Sequence, residues 1–408
     1  MKDSRNECSR RTFLKTAGAA GLGALAAPWE AKTEASTGLI ARNPEPVMVP
    51  KRAFGNTGEK VALLSLGGMF DIPNNQLLLK QAVKWGVTYW DTANSYGGGR
   101  SEKGIGKYFA RFPEDRKKIF LVTKSGAWTT GGMTDHLEKS LDRMQTDYID
   151  LFFVHGISRI GEMDDDVRVW GEKAKSRGKI RFFGFSTHSN MASCLMDAPA
   201  LGWIDGIMMT YNYRLMHTDD MRAAVDACSQ AGIGLTAMKT QGGRQVRTDT
   251  QTELKLAGRF IKQGFTPGQA KIKAVWENPQ IASICSQMPN MSLLMSNTAA
   301  AVNQTRLSDI DKQLLHRYAH ETASDYCGGC TDICEPALAR QVPIGDIMRY
   351  LMYARSYGDL ALAVEGFRSL PPEARRRLAR LDYTEAERRC PRNLAIGKLM
   401  REAVRELS

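Results

Sequence analysis

The sequence lacks what several classes of protein require. It contains no run of about twenty apolar residues, the length that crosses a bilayer core. The uncharged stretch Thr16 to Ala27 has only twelve. No basic run interleaved with aromatics is present, so a net charge of +12 over 408 residues gives no sign of a nucleic-acid groove. No Gly-x-Gly-x-x-Gly follows the first apolar run, which argues against an open doubly wound sheet. Cysteine is scarce too, with 8 residues, too few for a disulfide scaffold of this size. The scarcity is lopsided, because Cys327, Cys330, Cys334 and Cys390 all fall in the last 82 residues. What is present, 43% hydrophobic and 25% charged residues, excludes disorder and suits one large domain with an appendage.

Residues 9 to 15 read Ser-Arg-Arg-Thr-Phe-Leu-Lys, followed by the short apolar stretch and small residues at Ala24-Leu25-Ala26. This pattern reads as a twin-arginine export signal over residues 1–26, with a Pro, Glu, Thr and Ser-rich linker over 27–50. It implies the twin-arginine export machinery as a partner, and a periplasmic or extracellular destination for a chain folded before export. No stable membrane span and no nucleic-acid partner are expected.

From Lys60 onward, short β-prone runs alternate with stretches of helical period. They are Val61–Leu66, Val87–Trp90, Ile119–Thr123, Tyr148–Val154, Ile180–Phe185, Gly206–Tyr211, Gly232–Met238 and Ile281–Cys285. Eight strand and helix units predict an α/β fold, a (β/α)8 barrel over residues 51–322. Lys51 to Lys60, with Asn56-Thr57-Gly58 in the turn, predicts a hairpin closing the barrel floor. The long seventh connection leaves room for an extra helix around Thr252–Gln263. Residues 323–408 then form a small, cysteine-bearing, helical C-terminal domain.

Chemistry in such a barrel sits at the C-terminal strand ends. Asp91, Lys124 and His155 close the second, third and fourth runs, and Tyr96 follows in the loop Ser-Tyr-Gly-Gly-Gly. Taken singly, Asp91 could cap a turn, Lys124 could be a solvated strand end and His155 a satisfied core histidine. Together they converge on one funnel.

The string Asp91-Thr-Ala-Asn-Ser-Tyr96-Gly, with Ser101-Glu102 and Gly104-Ile-Gly106 after it, resembles the aldo-keto reductase signature. Lys124 and His155 stand where that family keeps its lysine and histidine, and the similarity covers about residues 50 to 305. The resemblance implies an NADP- or NAD-dependent reductase of small carbonyl substrates, or dehydrogenase of alcohols, without metal at the reacting centre. The side chains support the same chemistry. Hydride addition to a carbonyl builds an alkoxide that needs a proton donor. Tyr96 is expected as general acid/base, Lys124 as the cation tuning its phenol downward, Asp91 as the residue orienting Lys124, and His155 as a second hydrogen bond to the carbonyl.

Cofactor contacts implied by the resemblance are Ser186 and Thr187 at the fifth strand end, Lys239 and Gly242 after the seventh strand, and Asn297 for the adenine. The sequence departs from the family at Met208, where a glutamine is usual, and at Pro289, where an arginine for the 2′-phosphate is common. Met69, Phe70, Trp128 and Tyr213 are expected to wall the substrate pocket.

In the tail, Cys327-x2-Cys330-x3-Cys334 and Cys390, with prolines at 336 and 391, resemble ferredoxin-type ligation of one 4Fe-4S cluster. They also resemble an exported branch of aldo-keto reductases carrying such a segment. The cluster would stabilise the tail or relay electrons to a redox partner. Zinc, disulfides formed after export, and ligand positions no longer loaded are the alternatives. Cys194, Cys228 and Cys285 read as core fillers. Two other functions stay open: an aldolase or isomerase using Lys124 or Lys239 as a Schiff-base amine, and a non-catalytic sensor or redox barrel.

Overall fold

The computed structural model describes residues 48–246, 256, 258–260, 262 and 264–408. The export signal, most of the expected linker and most of the expected Thr252–Gln263 helix lie outside the described residues.

Two short strands, β1 (Lys51–Ala53) and β2 (Lys60–Ala62), pair antiparallel as the expected hairpin, Lys51 opposite Ala62. The run Val61–Leu66 is divided between β2 and the first barrel strand, β3 (Leu64–Gly67). Leu63 marks the break, turning its N–H to the carbonyl of Pro50 at 2.9 Å. The other barrel strands are β4 (Tyr89–Asp91), β5 (Phe120–Ser125), β6 (Ile149–His155), β7 (Ile180–Thr187), β8 (Gly206–Thr210), β9 (Gly234–Met238) and β10 (Ile281–Gln287). All pairings are parallel and sequential, and β10 closes the ring by pairing with both β3 and β9. Near-continuous burial along β3, β4, β5 and β8 is what a sheet covered on both sides demands.

The crossover helices among the described residues are α1 (Gln76–Lys84), α2 (Arg100–Arg111), α3 (Thr130–Met144), α4 (Asp165–Ser176), α5 (Met191–Asp197), α6 (Asp219–Gln230), α7 (Pro267–Trp276) and α8 (Met291–Val302). Their starts follow local chemistry. Thr266 caps α7 in a reciprocal box with Gln269, with Pro267 at the first helical position. The hairpin closes the floor. Asn56 N–H reaches the Gly232 carbonyl at 2.7 Å, and Phe54 is fully buried against Gly206 and Gly234, where a Cβ would come within 2.7 and 2.5 Å of its ring.

After α9 (Asp309–Glu321) come α10 (Thr331–Cys334), α11 (Ile344–Arg355), α12 (Leu360–Ser369), α13 (Pro372–Arg377), α14 (Thr384–Arg389) and α15 (Ile396–Leu407). By contact these helices belong to the same compact unit as the barrel, while keeping an apolar core of their own around Ile347, Leu351, Phe367, Leu399 and Met400. They dock on the loops after β7, β8 and β9. Asn190 donates to the Gly329 carbonyl at 2.8 Å, Asn212 to the Tyr326 hydroxyl at 3.0 Å, and Ser356 to the Arg244 carbonyl at 2.6 Å. The C-terminal segment therefore sits on the face where the barrel's chemistry is expected. Among the described residues no helix is long and apolar enough to cross a membrane.

Candidate active site

Asp91 ends β4, Lys124 is the next-to-last residue of β5 and His155 ends β6, so three adjacent strands deliver them to one rim. Lys124 Nζ donates to both Asp91 oxygens at 2.6 and 2.7 Å and to the Thr92 carbonyl at 2.8 Å, and it reaches the Tyr96 hydroxyl at 3.5 Å. The Tyr96 and His155 rings meet edge-on with centroids 5.9 Å apart. All four expected catalytic side chains are brought together.

The loop holding Tyr96 is fixed by the residues that follow it. Gly97, Gly98 and Gly99 all have positive φ, at 56°, 63° and 89°, a path costly for other residues. Asn94 N–H bonds the Lys124 carbonyl at 3.0 Å, and Arg143 holds the Asn94 carbonyl at 3.0 Å and the Glu102 carboxylate at 2.9 Å. Glu102 in turn accepts from Thr123, the residue before Lys124, at 2.8 Å. Glu102 thus ties the tyrosine loop to the lysine strand, while the Ser101 hydroxyl donates to the Gly68 carbonyl after β3 at 2.7 Å.

Burial sets the electrostatics. It works against the Lys124 ammonium, yet Asp91 holds that group above the usual lysine range, so it stays charged. Burial also raises the Tyr96 phenol, and Lys124 opposes this only in part. The net direction is upward, opposite to the downward tuning expected from the ammonium alone, because the site is drier than a strand end suggests. His155 is pushed down to about 3 by burial first, then by Lys124, Arg349 and Lys239. It is neutral at ordinary pH.

Beside His155 opens a cleft of about 260 Å³ between the loops after β5 and β6, lined by Trp128, Thr130, Ile157, Asp164, Asp166 and Val167 among others. Trp128 is 92% exposed there. Tyr213 does not wall this cleft. It stacks on Tyr318 at 6.2 Å in a separate apolar cluster with Phe260 and Phe265. Cys285, expected as a core filler, instead places its thiol 3.6 Å from Asp91.

Each residue expected to touch the cofactor lies at the mouth with protein partners of its own. Ser186 and Thr187 end β7; the Ser186 hydroxyl accepts from Gly156 N–H at 3.0 Å, and Thr187 donates to the Ile157 and Ser189 carbonyls. Asn297, buried on α8, donates to Ser286 at 3.0 Å. Gly242 packs against Tyr213 and Arg214. Lys239, at φ 55°, donates to the Tyr353 hydroxyl at 2.8 Å.

Sequence reasoning missed three rim residues. Tyr353 and Arg349 come from α11 of the C-terminal segment, and His188 follows β7, donating or accepting through Nδ1 with Thr210 at 3.1 Å. The available signal was an arginine and a tyrosine four residues apart in an amphipathic helix, Arg349 and Tyr353.

The four tail cysteines line one apolar pocket, with Ile333, Ile344, Met348, Leu394 and Ile396 around them. All four are free thiols in the structure. Among the described residues no three His, Cys, Asp or Glu side chains are grouped closely enough to hold a metal ion.

A buried ammonium shared between a carboxylate and a phenol, at the mouth of a closed parallel barrel, is equipment for oxidoreduction of a carbonyl or alcohol. Comparison with known proteins leads to the same class. Residues 64–284 match the aldo/keto reductase family, and the chain belongs to it; the protein is an NAD(P)-dependent oxidoreductase. Residues 7–27 match the signal sequence of the twin-arginine translocation pathway. Among relatives, an aldo-keto reductase of Fusarium vanettenii is 27% identical over 263 residues, covering 53% of this chain and 70% of its own. The L-galactose dehydrogenase of Arabidopsis thaliana is 24% identical over 297 residues, covering 64% of this chain and 92% of its own. The holo form of an aldo-keto reductase from Bacillus halodurans superposes with a TM-score of 0.56 at 22% identity over 66% of this chain and 96% of its own, a likeness of fold.

Proposed function

We infer that this chain interconverts a small carbonyl compound and its alcohol, with Tyr96 exchanging the proton at the substrate oxygen. The observation that carries this reading is the Asp91, Lys124 and Tyr96 chain of contacts, its ion pair buried and its half-buried tyrosine opposite a neutral His155. The donor set suits a nicotinamide cofactor at its amide end, where short hydroxyl side chains, Ser186 and Thr187, sit buried at the strand ends. A bound nicotinamide would supply or accept the hydride, and Lys239 offers a charge for its phosphates. In the reducing direction Tyr96 keeps its proton until negative charge grows on the substrate oxygen, then transfers it while Lys124 stabilises the phenolate left behind. Asp91 holds Lys124 charged and oriented. Neutral His155 gives an N–H to the same oxygen without competing for the proton. Pro289 leaves NADP without the usual arginine for its 2′-phosphate, and Met208 stands in place of the usual glutamine.

The Schiff-base reading has less support, since Lys124 is held protonated by Asp91 and an amine nucleophile must be neutral. The experiment is single-turnover transfer of deuteride from labelled nicotinamide to an aldehyde. Label in the alcohol supports the reading, and borohydride trapping of a covalent substrate adduct in its place overturns it.

We place the mature protein outside the inner membrane, in the periplasm or beyond, with the signal ending near residue 26 and the barrel spanning about 51–322. For residues 323–408 we favour one 4Fe-4S cluster held by Cys327, Cys330, Cys334 and Cys390. The ferredoxin-like spacing of these cysteines and their position as four free thiols around one apolar pocket support that preference.

A further inference from the structure

The C-terminal segment does not touch the barrel mouth evenly. On the loop after β7, Asn190 donates from its backbone to the Gly329 carbonyl at 2.8 Å and from its side chain to the Thr331 hydroxyl at 3.0 Å, and it accepts from Asp332 N–H at 3.0 Å. His188 of the same loop lies so near Gly329 that a Cβ there would stand 2.4 Å from its carbonyl oxygen. On the loop after β8, the fully buried Asn212 donates to the Lys239 carbonyl at 3.1 Å and to the Tyr326 hydroxyl at 3.0 Å. On the loop after β9, Gln245 is held three ways. Its N–H donates to the Asp325 carbonyl at 3.1 Å, its side-chain oxygen accepts from Cys327 N–H at 2.8 Å, and its carbonyl accepts from Arg355 at 2.7 Å. Beside it, the Ser356 hydroxyl donates to the Arg244 carbonyl at 2.6 Å, and a Cβ on Gly243 would sit 2.9 Å from both Ser356 and Tyr357.

The loops after β5 and β6 differ. They enclose the cleft of about 260 Å³ beside His155, and every residue lining it falls between Ser125 and Val167, so the C-terminal segment contributes none of its walls. One half of the mouth is roofed and the other is open. The roofed half carries the side chains expected to hold the nicotinamide: Ser186 and Thr187 come just before Asn190, and Lys239 and Gly242 just before Gly243. The open half is the one bordered by His155, opposite Tyr96. A ligand seated under the roof leaves only when these loops and the segment part, a sub-global opening of the fold. Each net hydrogen bond disfavours the open form by roughly two- to tenfold, and those from the Asn190 and Asn212 side chains to the segment are buried.

We propose that the C-terminal segment is a clamp that makes the nicotinamide a resident cofactor, not exchanged between turnovers, while substrates enter and leave through the open cleft. This rests on the oxidoreductase reading above. Its chemical consequence is that the cofactor is restored in place by a second substrate. An alcohol in the cleft gives a hydride to the bound nicotinamide and its hydroxyl proton to the Tyr96 phenolate, and leaves as a carbonyl compound. A different carbonyl compound then takes the hydride and the proton and leaves as an alcohol, so the two steps balance without free nicotinamide. The export signal gives the clamp a use, because a cofactor acquired before export stays with the chain.

The experiment follows the cofactor and not turnover. Full-length protein purified without added nicotinamide is expected to release a stoichiometric amount of NAD or NADP on denaturation. Mixed with isotope-labelled cofactor of the same kind, the folded protein should exchange it only over hours. Asn190→Gly removes two of the ties while suiting the backbone there, at φ 49°, and should exchange at least about tenfold faster. Ser356→Ala, a milder change that loses one tie, should exchange roughly two- to tenfold faster and decides the matter if the first variant does not fold. Slow exchange that neither variant accelerates overturns the clamp, and so does rapid exchange in the wild type; the oxidoreductase reading survives both results. Wild type that is empty and binds nicotinamide only once a tie is removed makes the segment a plug, which also overturns the clamp. Failure of wild type and both variants to bind either nicotinamide overturns the clamp and the oxidoreductase reading together.

Discussion

Lys124 gives two of its hydrogen bonds to one partner: its Nζ lies 2.6 and 2.7 Å from the two oxygens of Asp91, with both side chains at least 97% buried. Removing one member of such a pair leaves the other charge buried and uncompensated, at a cost of about 3–5 kcal/mol. Asp91→Asn is therefore expected to lower thermal stability as well as turnover. A melting curve matching wild type would show that the pair is not the closed, dry one seen here.

Tyr96→Phe tests the proton donor separately. The ring and its edge-on contact with His155 survive the change, and only the hydroxyl 3.5 Å from Lys124 is lost. Turnover should fall by roughly 10²–10⁴-fold, the worth of a positioned acid. Nicotinamide affinity, followed by fluorescence titration, should change little. Near-normal turnover would remove Tyr96 from its role.

The sequence made both of these residues visible because the barrel's repeat is local. Each strand is a short buried run; Asp91 and His155 are the residues that end two of them, Lys124 stands one before the end of a third, and Tyr96 follows Asp91 by five residues. The single break in that pattern was Val61–Leu66, where a hairpin strand and a barrel strand abut at Leu63 without any polar residue to mark the joint. The α11 rim was not legible for the opposite reason. Lys239 and Tyr353 are 114 residues apart, and their contact depends on docking through Asn190, Asn212 and Arg244, whose partners no local periodicity reveals. Burial at the mouth also raised the Tyr96 phenol when its neighbour alone predicted the reverse.

His155 gives a pH prediction with a definite sign. Its folded pKa, about 3, lies below the ordinary 6.5, and His188 is displaced in the same direction by burial and nearby cations. Below pH 6.5 the unfolded chain takes up protons at these positions and the native one does not, so stability falls as pH drops from 6.5 toward 3. Above 6.5 their contribution is full and flat. Denaturant titrations across this range should show the loss, and His155→Gln should reduce its slope. The rate profile should carry no ionisation near 6.5 from His155, and one that disappears in His155→Gln would contradict its neutral state.

Phe54 tests the floor. It is fully buried under the barrel, and Phe54→Ala removes a ring held between Gly206, Gly234 and the Phe120 ring. The expected cost is about 3–5 kcal/mol. Because the floor is at the opposite end from Tyr96, KM measured on the folded fraction should stay within a few-fold of wild type. A stability change below about 1 kcal/mol would mean that the hairpin does not plug the barrel.

The cysteines allow the most direct discrimination. A 4Fe-4S cluster takes one thiolate per iron corner and therefore needs four sulfurs standing around a space, whereas zinc draws four sulfurs to about 2.3 Å from one centre. Cys327, Cys330, Cys334 and Cys390 surround a pocket walled by Ile344, Met348 and Ile396. Apolar walls suit a buried cluster, since they exclude water from the sulfurs. Protein purified without oxygen should contain about four irons per chain with matching acid-labile sulfide, and a charge-transfer absorption that Cys330→Ala diminishes. Because that pocket lies in the same apolar core as α11, a cluster bound there would stabilise the segment, and removing it should lower the segment's melting temperature. Stoichiometric zinc, or two disulfides by thiol counting, would replace the cluster with the corresponding alternative.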